Sequence, residues 1–185
     1  MNPHLVYWLE HFGVAVAAVT GVLAARGKHV DLFGVVVLAL VTAFGGGTIR
    51  DCTIGDLPVF WVKDPNYTLT ALGTAGVVFF LERSHELPWT ALQVADAFVL
   101  ALFTMVGAGK ALHLGLGPVN GVVMGVITGV AGGILRDLLL GEIPLVFRPA
   151  ICLYATAAFI GALAYVLMNR YLAHPRGDLL VGLFV

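Results

Sequence analysis

Two segments of this sequence place an Arg-Asp pair shortly after a run of small residues. They read GGGTIRD at residues 45–51 and AGGILRD at residues 131–137. Inside a membrane, carboxylates and backbone carbonyls can replace part of the hydration shell of a cation, and a guanidinium can form a salt bridge or hold an anion. Each glycine in a helix interior costs about 1 kcal/mol relative to alanine, which predicts a kink that frees carbonyls. The residue types therefore favour an ion site.

The two segments are parts of a longer internal repeat. GGTIRDCTIGDLPVF at 46–60 and GGILRDLLLGEIPLV at 132–146 align without a gap at an offset of 86 residues. The matched positions include arginines, acidic residues and prolines, which apolar composition alone does not produce. Self-similarity of this kind indicates a tandem duplication.

Two interpretations of the Arg-Asp pairs stay open. The uncharged residues 32–49 can carry a straight helix across the membrane and leave Arg50 near the headgroups, which makes the pair interfacial. A kink would instead hold the pairs in a polar cavity. Adjacent residues on a helix do not face each other, so each arginine is predicted to bind the aspartate of the other repeat. We therefore expect the pairs Arg50–Asp137 and Arg136–Asp51 to meet as a single site.

The composition indicates what surrounds these segments. Of the 185 residues, 59% are hydrophobic and 11% are charged, whereas a soluble domain usually has about a quarter charged residues. Such a chain cannot cover its surface in water, so lipid is its solvent. A transmembrane helix needs about 20 mostly apolar residues. The stretches that satisfy this requirement lie at about 8–26, 31–49, 66–82, 89–112, 116–139 and 150–169.

Three spans in each repeat decide how the halves are related. Because three is odd, the second repeat enters the membrane from the opposite side, which makes an inverted repeat. We predict an all-α integral membrane protein with a first three-helix repeat at 1–86 and an inverted three-helix repeat at 87–172. The apolar residues after Asp178 are too few to cross as a helix, so 173–185 is predicted to start a seventh, truncated transmembrane helix.

Further residues in the spans have more than one role open to them. Lys110, in an apolar and glycine-rich stretch, can line the path, respond to voltage or a ligand, or snorkel to the surface. Asp96 and Glu10 are interpreted as interfacial acids at helix starts. Small residues spaced by four predict a smooth face for helix packing, and they are Gly121, Gly125 and Gly129. The predicted pathway residues are Gly45, Gly46, Gly47, Thr48, Arg50, Asp51, Lys110, Thr128, Ala131, Gly132, Gly133, Arg136 and Asp137.

Other classes of function find little support in the sequence. The six histidines are scattered and have no metal-ligand spacing, so neither a metal nor a cofactor is expected. Ser84 is the only serine and lies in a charged loop, and no catalytic set stands out, so an enzyme is not expected. The net charge of −1 gives no basic field for nucleic acid. Membrane lipids and small ions are the expected partners.

The doubled GGxxRDxxxG[DE]xP motif resembles that of the prokaryotic TRIC (trimeric intracellular cation) channel family, whose domain has also been labelled a glycine transporter. The resemblance covers about residues 5–172. It implies seven helices in a 3+3+1 arrangement and a homotrimer with a pore in each subunit. That pore runs past kinked glycine segments of the second and fifth helices. It also implies a multi-pass protein of the prokaryotic plasma (inner) membrane. Ala131, where the first repeat has Gly45, departs from the symmetry.

The leading hypothesis is a monovalent cation channel for potassium and sodium. In it Asp51, Asp137, glycine carbonyls and threonine hydroxyls replace part of the hydration shell, and the arginines gate through salt bridges. The rival is a secondary transporter for glycine or another small amino acid, with Arg50 and Arg136 holding the carboxylate. A third hypothesis is a structural membrane oligomer whose glycine faces serve only packing. Basic residues divide evenly between the two faces, so the sequence does not orient the protein.

Overall fold

A computed structural model of the chain describes residues 3–84, 89–148 and 154–172, and these are helical apart from short connections. Six long helices carry the fold in these ranges, with one short α-helix and one 3₁₀ segment between them. Their bounds are α1 Pro3–Ala24, α2 Leu32–Ile54, α3 Phe60–Lys63, α4 Pro65–Ser84, α5 Trp89–His113, α6 Pro118–Leu139 and α7 Tyr154–Leu172, and the 3₁₀ segment η1 is Leu145–Phe147.

The long helices follow the predicted spans, and the prediction of an all-α integral membrane protein is confirmed. By length and composition, α1, α2, α5 and α6 are each apolar enough to cross a membrane. α4 has 20 residues and α7 has 19, although α7 offers a shorter apolar stretch at Ala158–Arg170. α7 corresponds to the sixth predicted span, and the predicted seventh transmembrane helix at 173–185 lies outside the described residues. The boundary between the repeats at residues 86 and 87 stays a prediction.

Local chemistry sets the ends of α2. Asp31 precedes the helix, and its Oδ1 accepts a hydrogen bond from the backbone N–H of Gly34 at 2.8 Å, which satisfies a donor of the first turn. Gly55 ends the helix with a φ of +74°, a left-handed conformation that favours glycine. Gly141 has a φ of +69° at the matching position after α6. Both helices therefore turn sharply soon after their Arg-Asp pairs.

The antiparallel helices α2 and α6 cross where two glycines face two carbonyl groups. A Cβ built on Gly46 would lie 2.1 Å from the carbonyl oxygen of Thr128, and one on Gly132 would lie 2.3 Å from that of Thr42. Real Cβ atoms do not come so close, so glycine alone fits at either position. The backbone stays helical through both glycine segments, so the glycines do not end or unwind the helix as a break would. They provide room for the crossing, and its two contacts are equivalent under the 86-residue offset.

The packing between helices is duplicated as well. In the first half, α1 packs against α2 and α4, and α2 packs against α4. In the second half, α5 packs against α6 and α7, and α6 packs against α7. Contacts of α2 with α6 and of α1 with α5 join the two halves. Each long helix therefore has the neighbours that its counterpart has in the other half.

Contacts between chain segments place matching ends of the two halves on opposite faces of the bundle. Lys28, between α1 and α2, pairs with Glu142, which follows α6. Lys110, near the end of α5, pairs with Asp56, which follows α2, at 2.6 Å. The segments after α2 and α6 therefore lie at opposite ends of the bundle. An inverted repeat requires this arrangement.

We predict that alanine at Gly46 or Gly132 destabilises the protein by about 1–3 kcal/mol, because overpacking against a carbonyl outweighs the gain in helix propensity. Gly76 in α4 is the matched control, since a Cβ there would meet no atom of the described residues within 4 Å. Alanine at Gly76 should be neutral or stabilise by up to about 1 kcal/mol. The measurement is the free energy of unfolding in mixed micelles, and equal effects at all three glycines would contradict the close crossing.

Candidate functional site

The carboxylate of Asp51 lies fully buried near the end of α2 and is surrounded by donors. Its Oδ1 accepts hydrogen bonds from Arg50 Nε at 2.8 Å and from Lys110 Nζ at 2.7 Å. Its Oδ2 accepts one from the backbone N–H of Phe60 at 2.9 Å. A buried charge is tolerated when it is paired and hydrogen-bonded in this way. The carboxylate therefore joins three elements, α2, α3 and α5.

Lys110 connects this buried carboxylate with the outer surface. Its Nζ also contacts Asp56 Oδ2 at 2.6 Å, and Lys63 Nζ donates to Asp56 Oδ1 at 2.5 Å. These hydrogen bonds from Lys110 and Lys63 lower the pKa of the Asp56 carboxyl to about 2. The Lys110 side chain keeps 23% of its surface exposed, whereas that of Asp51 keeps none. The ammonium group thus stands between the protein surface and the buried carboxylate.

The matching carboxylate of Asp137, near the end of α6, has different partners. Its Oδ1 accepts a hydrogen bond from Arg136 Nε at 2.8 Å, and its Oδ2 accepts one from the backbone N–H of Leu145 at 2.8 Å. Arg136 Nη1 also donates to Asp96 Oδ1 at 2.6 Å. Arg136 is fully buried. The second half therefore shares one guanidinium between two carboxylates.

The two ends of the α2–α6 crossing are chemically unequal. The position in the first half that corresponds to Lys110 is Ala24, which is buried in a small apolar cluster with Leu23, Leu92 and the partly buried Leu140. The end of the crossing near Asp51 thus has a partly exposed lysine. The opposite end has the apolar side chains around Ala24 in the place of this lysine.

The predicted crosswise pairing of the Arg-Asp pairs is wrong. Each arginine binds the aspartate that follows it, because its long side chain folds back until Nε reaches the neighbouring carboxylate. The antiparallel crossing at Gly46 and Gly132 also carries the pairs apart, so that Arg50 and Arg136 lie about 18 Å from each other along the helix axes. Both arginines are buried among the helices of the bundle. The pairs form two sites, one towards each face.

Asp96, interpreted from the sequence as an interfacial acid at a helix start, faces the inside of the bundle. It is 4% exposed and binds the buried guanidinium of Arg136. Its counterpart Glu10 instead accepts a hydrogen bond from the Tyr67 hydroxyl at 2.8 Å. A charge well inside an apolar helix was the available signal for Asp96. That signal does not reveal which helix the charge faces.

The predicted residues Thr48 and Thr128, and Thr42 at the position that matches Thr128, differ in their bonding. The hydroxyls of Thr42 and Thr128 each donate to a carbonyl one turn earlier in their own helix, at 2.6 Å. The hydroxyl of Thr48 instead accepts a hydrogen bond from Trp61 Nε1 at 3.0 Å. This bond ties the short helix α3 to the glycine segment of α2.

The small residues of α6 and α2 lie at close helix contacts. A Cβ on Gly125 would lie 2.8 Å from the carbonyl oxygen of Thr104, and one on Gly129 would lie 2.4 Å from its hydroxyl, so this ridge faces α5. Gly121 packs near the Leu112 side chain. A Cβ on Gly45 would lie 2.7 Å from the side chain of Leu135. Ala131, at the position matching Gly45, is also buried.

Sequence reasoning missed two residues that cap the carboxylates through their backbone N–H groups, Phe60 and Leu145. They belong to α3 and η1, the short segments that return to the bundle after each Gly-[Asp/Glu]-x-Pro turn. The repeat continues to residues 60 and 146, so its length was the available signal that the returning segment belongs to the site.

The described part of the chain contains no set of side chains arranged to bind a metal ion. No group of three His, Cys, Asp or Glu side chains is placed there to hold a metal ion. Asp51 and Asp137 are bonded to arginine, lysine or backbone donors instead. Carboxylates held in this way do not form the multi-oxygen cage that a resident ion requires.

Comparison with known proteins identifies the relatives of this chain. A family model described as Glycine transporter matches it twice, at residues 7–83 and 93–170. The UPF0126 inner membrane protein YadS of Escherichia coli K12 is 49% identical over 162 residues, which cover 87% of this chain and 77% of YadS. A UPF0126 membrane protein of Vibrio cholerae is 47% identical over 164 residues, which cover 88% of this chain and 68% of that protein.

Solved structures agree with this result. The TRIC trimeric intracellular cation channel orthologue from Rhodobacter sphaeroides is 44% identical, with a TM-score of 0.87 and coverage of 97% of this chain and 90% of its own. A prokaryotic TRIC channel crystallised in 0.5 M KCl is 31% identical, with a TM-score of 0.84 and coverage of 95% and 89%. The apolar helices and the inner-membrane relatives place this chain in the prokaryotic inner membrane as a multi-pass protein. It belongs to the Glycine transporter family, which contains the prokaryotic TRIC channels and the UPF0126 membrane proteins.

Proposed function

We propose that this protein is a monovalent cation channel that conducts potassium and sodium through a pore within each protomer of a homotrimer. The observation that carries the proposal is the bridge from Lys110 to Asp51, in which a partly exposed ammonium group lies on a buried carboxylate. The likeness to solved TRIC channels over nearly the whole chain supports it. Relatives that are membrane proteins and channels favour a channel over an enzyme.

The proposed pore follows the α2–α6 crossing past the two glycine segments. Residues 45–47 and 131–133 offer backbone with little side-chain bulk, and a carboxylate lies towards each face at Asp51 and Asp137. A cation that reaches Asp51 has to compete with Lys110. Because Lys110 also contacts Asp56, the ammonium group can move towards the surface without losing every negative partner. This movement is the proposed opening step.

A carrier for glycine is a poorer fit to the described geometry. Such a carrier needs a guanidinium that can bind the carboxylate of the substrate. Arg50 and Arg136 are each bonded to an aspartate inside the bundle. The cavity beside Arg136 has about 10 Å³, which is room for no more than one water molecule. Glycine therefore serves as the discriminating substrate in the test.

Purified protein in planar bilayers should give unitary currents in symmetric KCl with no substrate added. A carrier completes a conformational change for every substrate, and such changes take microseconds to milliseconds or longer, so its current is too small to resolve as single events. Counterflow of radiolabelled glycine into liposomes is the competing measurement. Saturable counterflow without unitary currents would replace the channel by a carrier, and the absence of both activities would favour the structural oligomer.

Lys110→Met should raise the potassium conductance, because methionine keeps much of the side-chain length but no longer neutralises Asp51. A contact between unit charges near a protein surface is worth a few kcal/mol at most, so we expect an increase of about tenfold. Lys63→Met is the matched control, since Lys63 binds Asp56 and is 40% exposed. Its conductance should stay close to that of the wild type. A lower conductance in Lys110→Met would instead assign the lysine to keeping the path open.

Mild acidification should leave the Lys110–Asp56 contact intact. The pKa of Asp56 is about 2 in the folded protein, below the ordinary value of 3.8. The contact therefore stabilises fully above the ordinary value and is lost as the pH falls towards about 2. Wild type and Asp56→Asn should show parallel pH profiles of conductance from about pH 7 to about pH 5. A wild-type response in that range that is absent from Asp56→Asn would contradict the assignment.

A further inference from the structure

The two halves differ in what lies beside their glycine segments. In the first half, the ring of Phe60 occupies the space beside Gly47, which we call the first notch. A Cβ on Gly47 would lie 2.5 Å from Phe60 Cε1. The Arg50 guanidinium carbon lies 5.7 Å from the centre of this ring. The ring also packs edge-on against Phe44 and Tyr67. An aromatic side chain with contacts on several sides therefore closes the first notch.

The second half has Val146 at the position that corresponds to Phe60, and its notch is not filled. A cavity of about 10 Å³ lies there, with Gly133, Val146, Arg136 and Asp96 in its lining. A Cβ on Gly133 would lie 3.7 Å from Arg136 Nη2 and 3.8 and 3.9 Å from the two carboxylate oxygens of Asp96. These are ordinary contact distances. A Cβ would therefore fit at the second notch, which has a mostly apolar lining with the polar atoms of Arg136 and Asp96 at one side.

An unsatisfied donor lies in this cavity. Arg136 is fully buried, and its Nη2 has no hydrogen-bond partner among the residues that the structure describes. A buried donor without a partner is costly, and a space of this size can hold one water molecule where polar groups such as Arg136 and Asp96 lie beside it. A water beside Gly133 can accept a hydrogen bond from Nη2 within reach of the Asp96 carboxylate. The unpaired guanidinium nitrogen therefore indicates a hydrated subsite.

We propose that Phe60 is the gate residue of the pathway and that the Gly133 notch is the hydrated counterpart of the notch that Phe60 closes. This proposal rests on the proposed cation channel function, and it adds the identity of the side chain that closes the pathway. The backbone N–H of Phe60 donates a hydrogen bond to Asp51 Oδ2. A movement of α3 therefore withdraws the Phe60 ring from the first notch and, at the same time, exposes the Asp51 carboxylate. Trp61 donates a hydrogen bond to Thr48, and this bond holds α3 in the position in which the Phe60 ring closes the first notch.

A reciprocal exchange of the two side chains tests the gate. Phe60→Val gives the first notch the side chain of the second, and Val146→Phe does the reverse. We expect Phe60→Val to raise potassium flux into liposomes about tenfold, equivalent to about 1.4 kcal/mol, and Val146→Phe to lower it by a similar factor. Phe33→Val is the matched control, because Phe33 lies at the start of α2 and is 76% exposed. Unchanged flux in both exchange variants, with thermal unfolding like that of the wild type, overturns the proposal.

A second measurement does not depend on conduction. In a background of Cys52→Ala and Cys152→Ala, Gly133→Cys places a sulfur at the cavity. Ag⁺ is a monovalent cation that binds thiolates, and it should protect this cysteine from maleimide labelling after denaturation. Adding Val146→Phe should slow the protection about tenfold, as expected if the ring excludes the ion for most of the time. Equal protection rates with and without Val146→Phe overturn the hydrated subsite.

The two measurements separate the gate from the channel function itself. Protection of Gly133→Cys that Val146→Phe slows supports the unequal notches even if the wild type carries no current, a result that would remove the channel proposal. Wild-type currents combined with unchanged flux in the folded exchange variants overturn the gate and leave the channel in place.

Discussion

The structure depends on two places where the backbone of one helix lies directly against a carbonyl group of another. Gly46 meets Thr128 and Gly132 meets Thr42, and a Cβ fits at neither glycine. In lipid, helices gain little from hydrophobic burial against each other, so close van der Waals contact of this kind holds a bundle together. The crossing also fixes the distance between the Arg-Asp pairs, because each pair follows its glycine by the same number of residues. A single packing constraint thus sets both the union of the halves and the placement of their charges.

Around this symmetric crossing, the charged and aromatic side chains are arranged without symmetry. Asp51 accepts from an arginine and a lysine, whereas Asp137 accepts from an arginine that it shares with Asp96. Two positions account for much of the difference. Lys110 has an alanine as its counterpart, and Phe60 has a valine. A duplicated scaffold can therefore present unlike chemistry at its two ends while the helices that carry it stay equivalent.

The spans could be predicted because they are continuous runs of apolar residues in the sequence. The duplication could be predicted because matching residues of the two repeats are separated by a constant 86 positions. The pairing of Arg50 could not, because the rule that adjacent helix residues point apart describes their Cβ directions, whereas a long guanidinium side chain can fold back to Asp51. The contact between Arg136 and Asp96 depends on how α5 packs on α6, which no local pattern specifies. Helix propensity likewise predicted only that glycines weaken α2. The facing carbonyl of Thr128 explains why they are needed.

The reciprocal crossing has a consequence for a three-helix unit taken by itself. Such a unit contains the glycine but not the carbonyl that faces it, which is supplied here by the other half. It could complete the contact only with a second copy inserted upside down in the same membrane. Two separate chains of opposite orientation would have to find each other by diffusion in the bilayer. Joining them in one polypeptide makes the encounter intramolecular, so the partner is always present at a high effective concentration and in the required orientation.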